Sequence, residues 1–164
     1  MDLLDDKEDR PVAYAGFWIR FVALIIDTVV LNTISFLLII PLLGIIGFTT
    51  IGLDEITSLD EEEIIMAIIA FSTPFYLATM ILYWLYYALS QSSSWQATLG
   101  KRAVGIIVTN QHGEQLSFTT ASLRYLGRII SGMTMLIGYI IAGFTEKKQA
   151  LHDMIASTYV VYKD

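Results

Sequence analysis

Asp27 is the residue best placed to do chemistry, because it lies inside an apolar block that runs from Phe21 to Ile40. Nine residues separate it from Trp18, which puts it about 14 Å deep and near the middle of a bilayer. An acid in nonpolar surroundings is reluctant to ionise, so it can exchange a proton for a small cation, the central step of antiport. It could instead form a salt bridge that fixes helix packing. We favour this structural interpretation, because ion-pair networks also create unusual acids.

Three arginines are candidate partners for Asp27. Arg20 precedes it by seven residues on the same helical face, but the two Cα atoms differ by about 10 Å in rise and helical side chains tilt towards the N terminus. We therefore expect Arg20 to extend to the lipid headgroups. Arg124 and Arg128 lie one turn apart on a predicted helix that Ser117 caps, and we expect one of them to pair with Asp27.

A second acid, Asp153, follows His152 near the end of the chain. As functional groups the two would form a second proton site or a relay, because histidine titrates near neutral pH. As a structural group, Asp153 would cap a helix or loop and pair with Arg102, Arg124 or Arg128. We favour the structural interpretation, because a carboxylate near the membrane interface is often paired with arginine.

The composition excludes an ordinary soluble domain. Apolar residues make up 55% of the chain and charged residues only 16%, against roughly 25% charged in soluble domains. The net charge is −6 and the ten basic residues are spread thinly, which argues against nucleic-acid binding. There is no cysteine, and the two histidines lie forty residues apart, so we expect no metal site and no cofactor. No activated nucleophile or phosphate-binding glycine loop is present, and we expect no enzymatic activity.

Two apolar blocks are long enough to cross a bilayer. The first is Phe21–Ile40, which Pro41 should kink or end, and the second is Ile64–Leu89. The segment 48–63 between them holds six acids and no basic residue. The positive-inside rule therefore predicts a protein of the cell inner membrane whose N terminus lies in the cytoplasm. Residues 1–13 are predicted to be an acidic, disordered tail, and residues 14–164 a single membrane domain.

The rest of the chain predicts one more apolar unit and a small sheet. Ile129–Phe144 has sixteen residues, about 24 Å as a helix, and is either a short tilted span or half of a re-entrant hairpin with 118–130. Residues 104–118 predict a β-hairpin that turns at Gly113. The strand-like run Ser157–Tyr162 should pair with it, which brings the C terminus to the cytoplasm. The predicted fold is an all-α membrane protein with two full transmembrane helices, a third short or re-entrant segment and a small cytoplasmic hairpin or sheet.

Four segments in this order resemble the signatures of the RDD family: Ala15–Asp27, Thr98–Val108, Leu123–Arg128 and Gln149–Thr158. The family is named for one arginine and two aspartates, which match Arg20, Asp27 and Asp153. The resemblance implies a small bacterial or archaeal membrane protein. Some family members have been described as sodium/proton antiporters, although most are uncharacterised.

Our leading hypothesis at this point is monovalent cation (sodium)/proton exchange. Asp27 would titrate, Asp153 would be a second acid, and the arginines and His152 would organise the site. Two or three spans enclose little volume, so we expect the path to lie between protomers of a homo-oligomer. The alternative is a non-transporting scaffold or accessory subunit, which docks another membrane protein and uses its Arg/Asp network only for structure.

Overall fold

The computed structural model describes residues 12–51, 59–134 and 137–163. The predicted acidic tail lies outside these residues apart from its end. Ala13 is part of the fold, because its carbonyl oxygen accepts a hydrogen bond from the Tyr162 N–H at 3.0 Å. In chain order the elements are α1 (Phe17–Ile34), a π-helical turn (Ser35–Ile39), α2 (Ile40–Ile51), α3 (Glu61–Ser92), α4 (Leu99–Ala103), β1 (Ile106–Asn110), α5 (Phe118–Met133), α6 (Ile137–Ile140), a 3₁₀ turn (Ile141–Gly143), α7 (Leu151–Ile155) and β2 (Thr158–Tyr162).

Two long helices cross the membrane, as the apolar blocks predict. Helix α1 continues through the π-helical turn into α2, and the apolar stretch Phe17–Ile46 has 30 residues, while α3 has 32. At 1.5 Å per residue these rods measure about 45 and 48 Å, whereas the hydrocarbon core is about 30 Å thick. Each rod therefore extends well beyond the hydrocarbon. The start of α3 is fixed by a capping box in which the Glu63 N–H donates to Asp60 Oδ1 at 2.8 Å.

Of the two outcomes predicted for Pro41, a kink or an end of the first helix, the end does not occur. Pro41 is the second residue of α2, and the π-helical turn Ser35–Ile39 comes directly before it. Proline has no N–H to donate and its ring crowds the carbonyl four residues back. A wider π turn at this place removes that conflict without breaking the helix.

The two strands form an antiparallel sheet whose register runs from Ile106 opposite Tyr162 to Asn110 opposite Thr158. This confirms that the C-terminal strand pairs with the 104–118 segment. The prediction of a second strand in the hairpin is wrong, because the structure describes residues 114–117 and they are not in a strand. The Asn110 side chain accepts the Glu114 N–H at 2.9 Å and closes the turn. The chain then enters α5, which leaves the place beside β1 to β2.

The third apolar unit folds back on itself. Helix α5 and the segment Ile137–Gly143 are bent by 118° relative to each other. Gly138 packs against Ser131: a Cβ built at Gly138 would lie 2.8 Å from the Ser131 Cβ. The unit is therefore bent, as a broken span or a re-entrant loop would be, and is not one straight third span. The sheet, α4 and α7 all lie at one end of the molecule, which is called the polar end below.

We predict that Gly138→Ala destabilises the fold by about 1–3 kcal/mol, because the added methyl group overpacks the contact with Ser131. Gly132→Ala is the matched control in the same unit. A Cβ at Gly132 has no neighbour within 4 Å, and alanine favours a helix over glycine by about 1 kcal/mol. Thermal unfolding of both variants in one detergent checks the prediction. Equal or reversed effects would contradict the folded-back packing.

Candidate functional site

Asp153 is the centre of a buried ion-pair cluster at the polar end. It belongs to the first turn of α7 and is fully buried. Its Oδ2 pairs with the Arg20 guanidinium from α1, and its Oδ1 pairs with Arg124 from α5. Arg124 also donates to Gln91 Oε1 of α3 at 2.5 Å, and the Ala150 N–H donates to Asp153 Oδ2 at 3.1 Å. One carboxylate therefore connects three helices and, through Arg124, a fourth.

The sequence analysis predicted that Arg20 extends to the lipid headgroups, and this prediction is wrong. Besides its ion pair with Asp153, its Nε donates to the Ala15 carbonyl at 2.8 Å, and a terminal nitrogen donates to the Lys148 carbonyl at 2.6 Å. The tilt towards the N terminus was right, but it leads the side chain into α7 and its preceding turn. The carboxylate of Asp153 there accepts a charge-assisted hydrogen bond of the kind that a lipid phosphate would otherwise accept.

Three arginines were predicted as alternative partners of Asp153, and one of them takes this place. Arg124 pairs with it, whereas Arg102 stacks on Trp95 at 4.3 Å from the ring centre and Arg128 on Tyr87 at 3.8 Å. Both contacts are cation–π interactions, which let a guanidinium bury one face without an acid.

Asp27 is held by neutral donors instead of a cation. Its side chain is 1% exposed. Its Oδ1 accepts the Tyr86 hydroxyl at 2.6 Å and the Gly100 N–H at 2.7 Å, and its Oδ2 accepts the Thr98 hydroxyl at 2.7 Å. Among the described residues, no arginine or lysine forms a salt bridge with it. The predicted pairing with Arg124 or Arg128 is therefore wrong.

Two of the three donors to Asp27, Thr98 and Gly100, come from the start of a short helix that the sequence analysis did not predict. Thr98 is the N-cap of α4, which packs its first turn on α1. A Cβ at Gly100 would overlap the Ala23 carbonyl oxygen and approach the carboxylate of Asp27, so only glycine allows this approach. Tyr86, the third donor, belongs to α3. A threonine followed two residues later by glycine was the available signal for this cap.

Asp27 lies closer to one end of its span than the sequence estimate implies. Ten residues of α1 precede it, and the apolar stretch continues to Ile46. The nineteen residues from 28 to 46 measure about 28 Å and match the hydrocarbon thickness by themselves. Because Asp27 also contacts α4, which carries Lys101 and Arg102, its level is that of the polar end.

A cavity of about 260 Å³ lies between α1, α5 and the turn before α7. Most of the residues predicted for the site line it: Arg20, Asp27, Arg124, Arg128 and His152. Asp153 is not among the lining residues, but its partners Arg20 and Arg124 are. The cavity also contains a residue that the sequence analysis did not select, Lys101, which is only 9% exposed. Its position directly after Gly100 brings it there.

Burial and neighbouring charges shift the pKa values of three side chains in α7 and α4. Burial would raise the pKa of Asp153, but the charges of Arg124 and Arg20 outweigh it and hold that pKa well below its usual value. Burial, together with the nearby arginines, lowers the pKa of His152 far below its ordinary value. His152 is thus neutral at neutral pH, contrary to a relay that titrates there. Burial and the charges of Arg124 and Arg128 lower the pKa of Lys101 in the same way.

Fold and site together define a small integral membrane protein with two spans, a bent third apolar unit and a buried Arg–Asp–Arg cluster. The profile of the RDD family matches residues 14–157, so the chain belongs to the RDD family. Arg20, Asp27 and Asp153, the residues matched to the family name, are those that the cluster and the α4 cap use.

The chain is also similar to proteins of Bacillus subtilis (strain 168). It is 36% identical to the uncharacterized protein YxaI over 149 residues, which are 91% of this chain and 97% of that protein. It is 33% identical to the uncharacterized membrane protein YteJ over 153 residues, 92% of this chain and 82% of that one. No solved structure matches the chain significantly.

We predict that Asp153→Asn and Asp27→Asn differ sharply in their effect on the free energy of unfolding. The first leaves two buried guanidinium groups without their counter-charge and should cost about 3–5 kcal/mol. The second keeps an oxygen that can accept from Tyr86 and Gly100, so it should cost about 1–2 kcal/mol. Unfolding of the purified variants in mild detergent checks this. A larger loss for Asp27→Asn would show that its carboxylate charge is the more important one.

We predict that the protein loses stability as the pH falls below about 6.5, the ordinary value for histidine. The unfolded chain then takes up a proton that the folded chain refuses at His152, so the free energy of unfolding falls by up to about 1.4 kcal/mol per pH unit. His152→Gln should remove this slope. His112→Gln, at an exposed position, is the control and should keep it. An unchanged slope in His152→Gln would contradict the burial argument.

Proposed function

We propose that this protein is a non-transporting membrane scaffold or accessory subunit whose Arg/Asp network is structural. One observation supports this above all: the oxygens of both buried acids already accept hydrogen bonds from the protein. Asp153 receives Arg20 and Arg124, and Asp27 receives three neutral donors. Neither carboxylate is left open to take and release a cation.

The electrostatics of the cavity support the same proposal. Four basic residues line it, and the carboxylates beside it are those of Asp27 and Asp153. A sodium ion that approached Asp27 would meet a surplus of positive charge at close range. Within the described residues, no group of three or more histidine, aspartate or glutamate side chains could hold a metal ion.

Monovalent cation (sodium)/proton exchange is the second candidate, and a specific observation favours it. Asp27 lines the cavity without a paired cation in the described part of the chain. Polar groups continue from it along the contact between the two long helices: the Tyr83 hydroxyl donates to Asn32 Oδ1 at 2.8 Å. Further along, the buried hydroxyls of Ser35 and Thr79 have no partner among the described residues. A proton could use such a row of polar groups if a second protomer completed the path.

Our proposal also includes orientation, location and partners. The polar end carries five basic residues: Arg20, Lys101, Arg102, Arg124 and Arg128. By the positive-inside rule, this end would lie on the cytoplasmic side of the cell membrane. The C terminus would lie there too, because β2 pairs with β1. We propose homo-oligomers or docking to another membrane protein as the partners, and no enzymatic reaction.

A flux measurement distinguishes the two candidates. The protein is reconstituted in liposomes with a pH gradient, and sodium or lithium is added outside. We expect no ion-dependent proton flux above that of empty liposomes, while a known exchanger in parallel liposomes shows that the assay responds. Flux that Asp27→Asn abolishes, and that the exposed variant Glu114→Gln retains, would overturn the scaffold proposal in favour of exchange.

A further inference from the structure

The cavity holds two basic side chains that the structural network does not use. Arg20 and Arg124 share the carboxylate of Asp153. Within the described part of the chain, neither Lys101 nor Arg128 forms an ion pair with an acid. Asp27 is nearby, but its oxygens are covered by hydroxyl and N–H donors. Four basic groups therefore face two carboxylates, and the positive surplus belongs to Lys101 and Arg128.

Unpaired cations in a buried place are costly unless an anion or water joins them. Arg128 lowers this cost by stacking one face on Tyr87 at 3.8 Å, and it lines the same cavity as Lys101. Lys101 is 9% exposed, and burial lowers the pKa of its ammonium group. A bound anion would favour the charged form of Lys101 and offset the cost of burying both basic groups.

The lining of the cavity also contains apolar side chains. Phe17, Phe21 and Leu24 of α1 and Ile140 of α6 belong to it. Phe21 and Ile140 are 43% and 45% exposed on the outer surface, so the wall is continuous with the apolar surface that faces lipid. At about 260 Å³, the cavity is far larger than the roughly 10–15 Å³ that one water molecule needs. It suits a ligand with an anionic head and an apolar tail.

We propose that this cavity binds a phosphate group, held by Lys101 and Arg128, and that the phosphate is that of an anionic membrane lipid. Lysine supplies a compact charge and arginine a fork of N–H donors, a pair well matched to phosphate oxygens. The acyl chains would leave along Phe21 and Ile140. Free phosphate shares the head-group chemistry but has nothing to place on the apolar wall.

Binding to the full-length protein in a neutral detergent tests the proposal. Dioctanoyl-phosphatidylglycerol, dioctanoylglycerol and inorganic phosphate are titrated separately, and the ligand-induced shift of the unfolding temperature and the dissociation constant are measured. We expect the phospholipid to bind and dioctanoylglycerol, which has the same chains but no phosphate, to bind much more weakly. If inorganic phosphate binds as well as the phospholipid, the phosphate site stands and its source is free phosphate. Wild-type protein that binds neither phosphate compound overturns the proposal.

Variants assign the site to its residues. Lys101→Gln and Arg128→Gln should each weaken phospholipid binding by roughly tenfold or more, the scale of one charge-assisted hydrogen bond. Arg102→Gln is the matched control, because Arg102 is the neighbouring cation and stacks on Trp95 outside the cavity. If a glutamine variant does not fold, Lys101→Arg and Arg128→Lys keep the charge and should keep most of the binding. Equal affinity in wild-type protein and folded glutamine variants overturns the assignment.

Discussion

Two guanidinium groups from different helices converge on the carboxylate of Asp153, and the arrangement of the polar end depends on this contact. Arg20 arrives from α1 and Arg124 from α5, while Asp153 itself starts α7. The three residues are far apart in sequence, so their contact determines how the first span, the bent third unit and the C-terminal strand fit together. In a buried cluster the attraction offsets the cost of removing the charges from water only while all members are present, since the loss of one member leaves an uncompensated buried charge.

Asp27 solves a different problem with different chemistry. It lies where α1 leaves the polar end, and it receives the first turn of α4 through Thr98 and Gly100. Neutral donors satisfy it without adding charge, whereas Asp153 pairs with two of the four basic groups beside the cavity. The division explains why Lys101 and Arg128 remain without an acid in the part of the chain that the structure describes. It also makes the surplus charge of the cavity positive, which is the reason to consider an anionic ligand before a sodium ion.

Much of this architecture can be predicted from residue patterns, but the partners in the site cannot. Length and hydropathy were enough for both spans, and β-branched residues at 158–162 were enough for the strand and its pairing. The errors in the site share a cause: each concerns which distant side chain meets which. Arg20 was predicted to contact lipid because its partners Lys148 and Asp153 lie 128 and 133 residues away along the chain. Asp27 was predicted to pair with an arginine because the five-residue helix Leu99–Ala103 is too short to give a periodic signal. The tight fit of Gly100 on Ala23 is a property of packing, which spacing along one chain does not contain.

A double-mutant cycle on Arg124 and Asp153 tests the central claim most directly. The free energy of unfolding is measured in mild detergent for wild-type protein, Arg124→Gln, Asp153→Asn and the double variant. If the two side chains form a buried pair, the double variant should be more stable than the sum of the single losses implies, with a coupling energy of about 2 kcal/mol or more. Losses that add within about 0.5 kcal/mol would mean that the two residues act independently, and the cluster could not be what holds the polar end together.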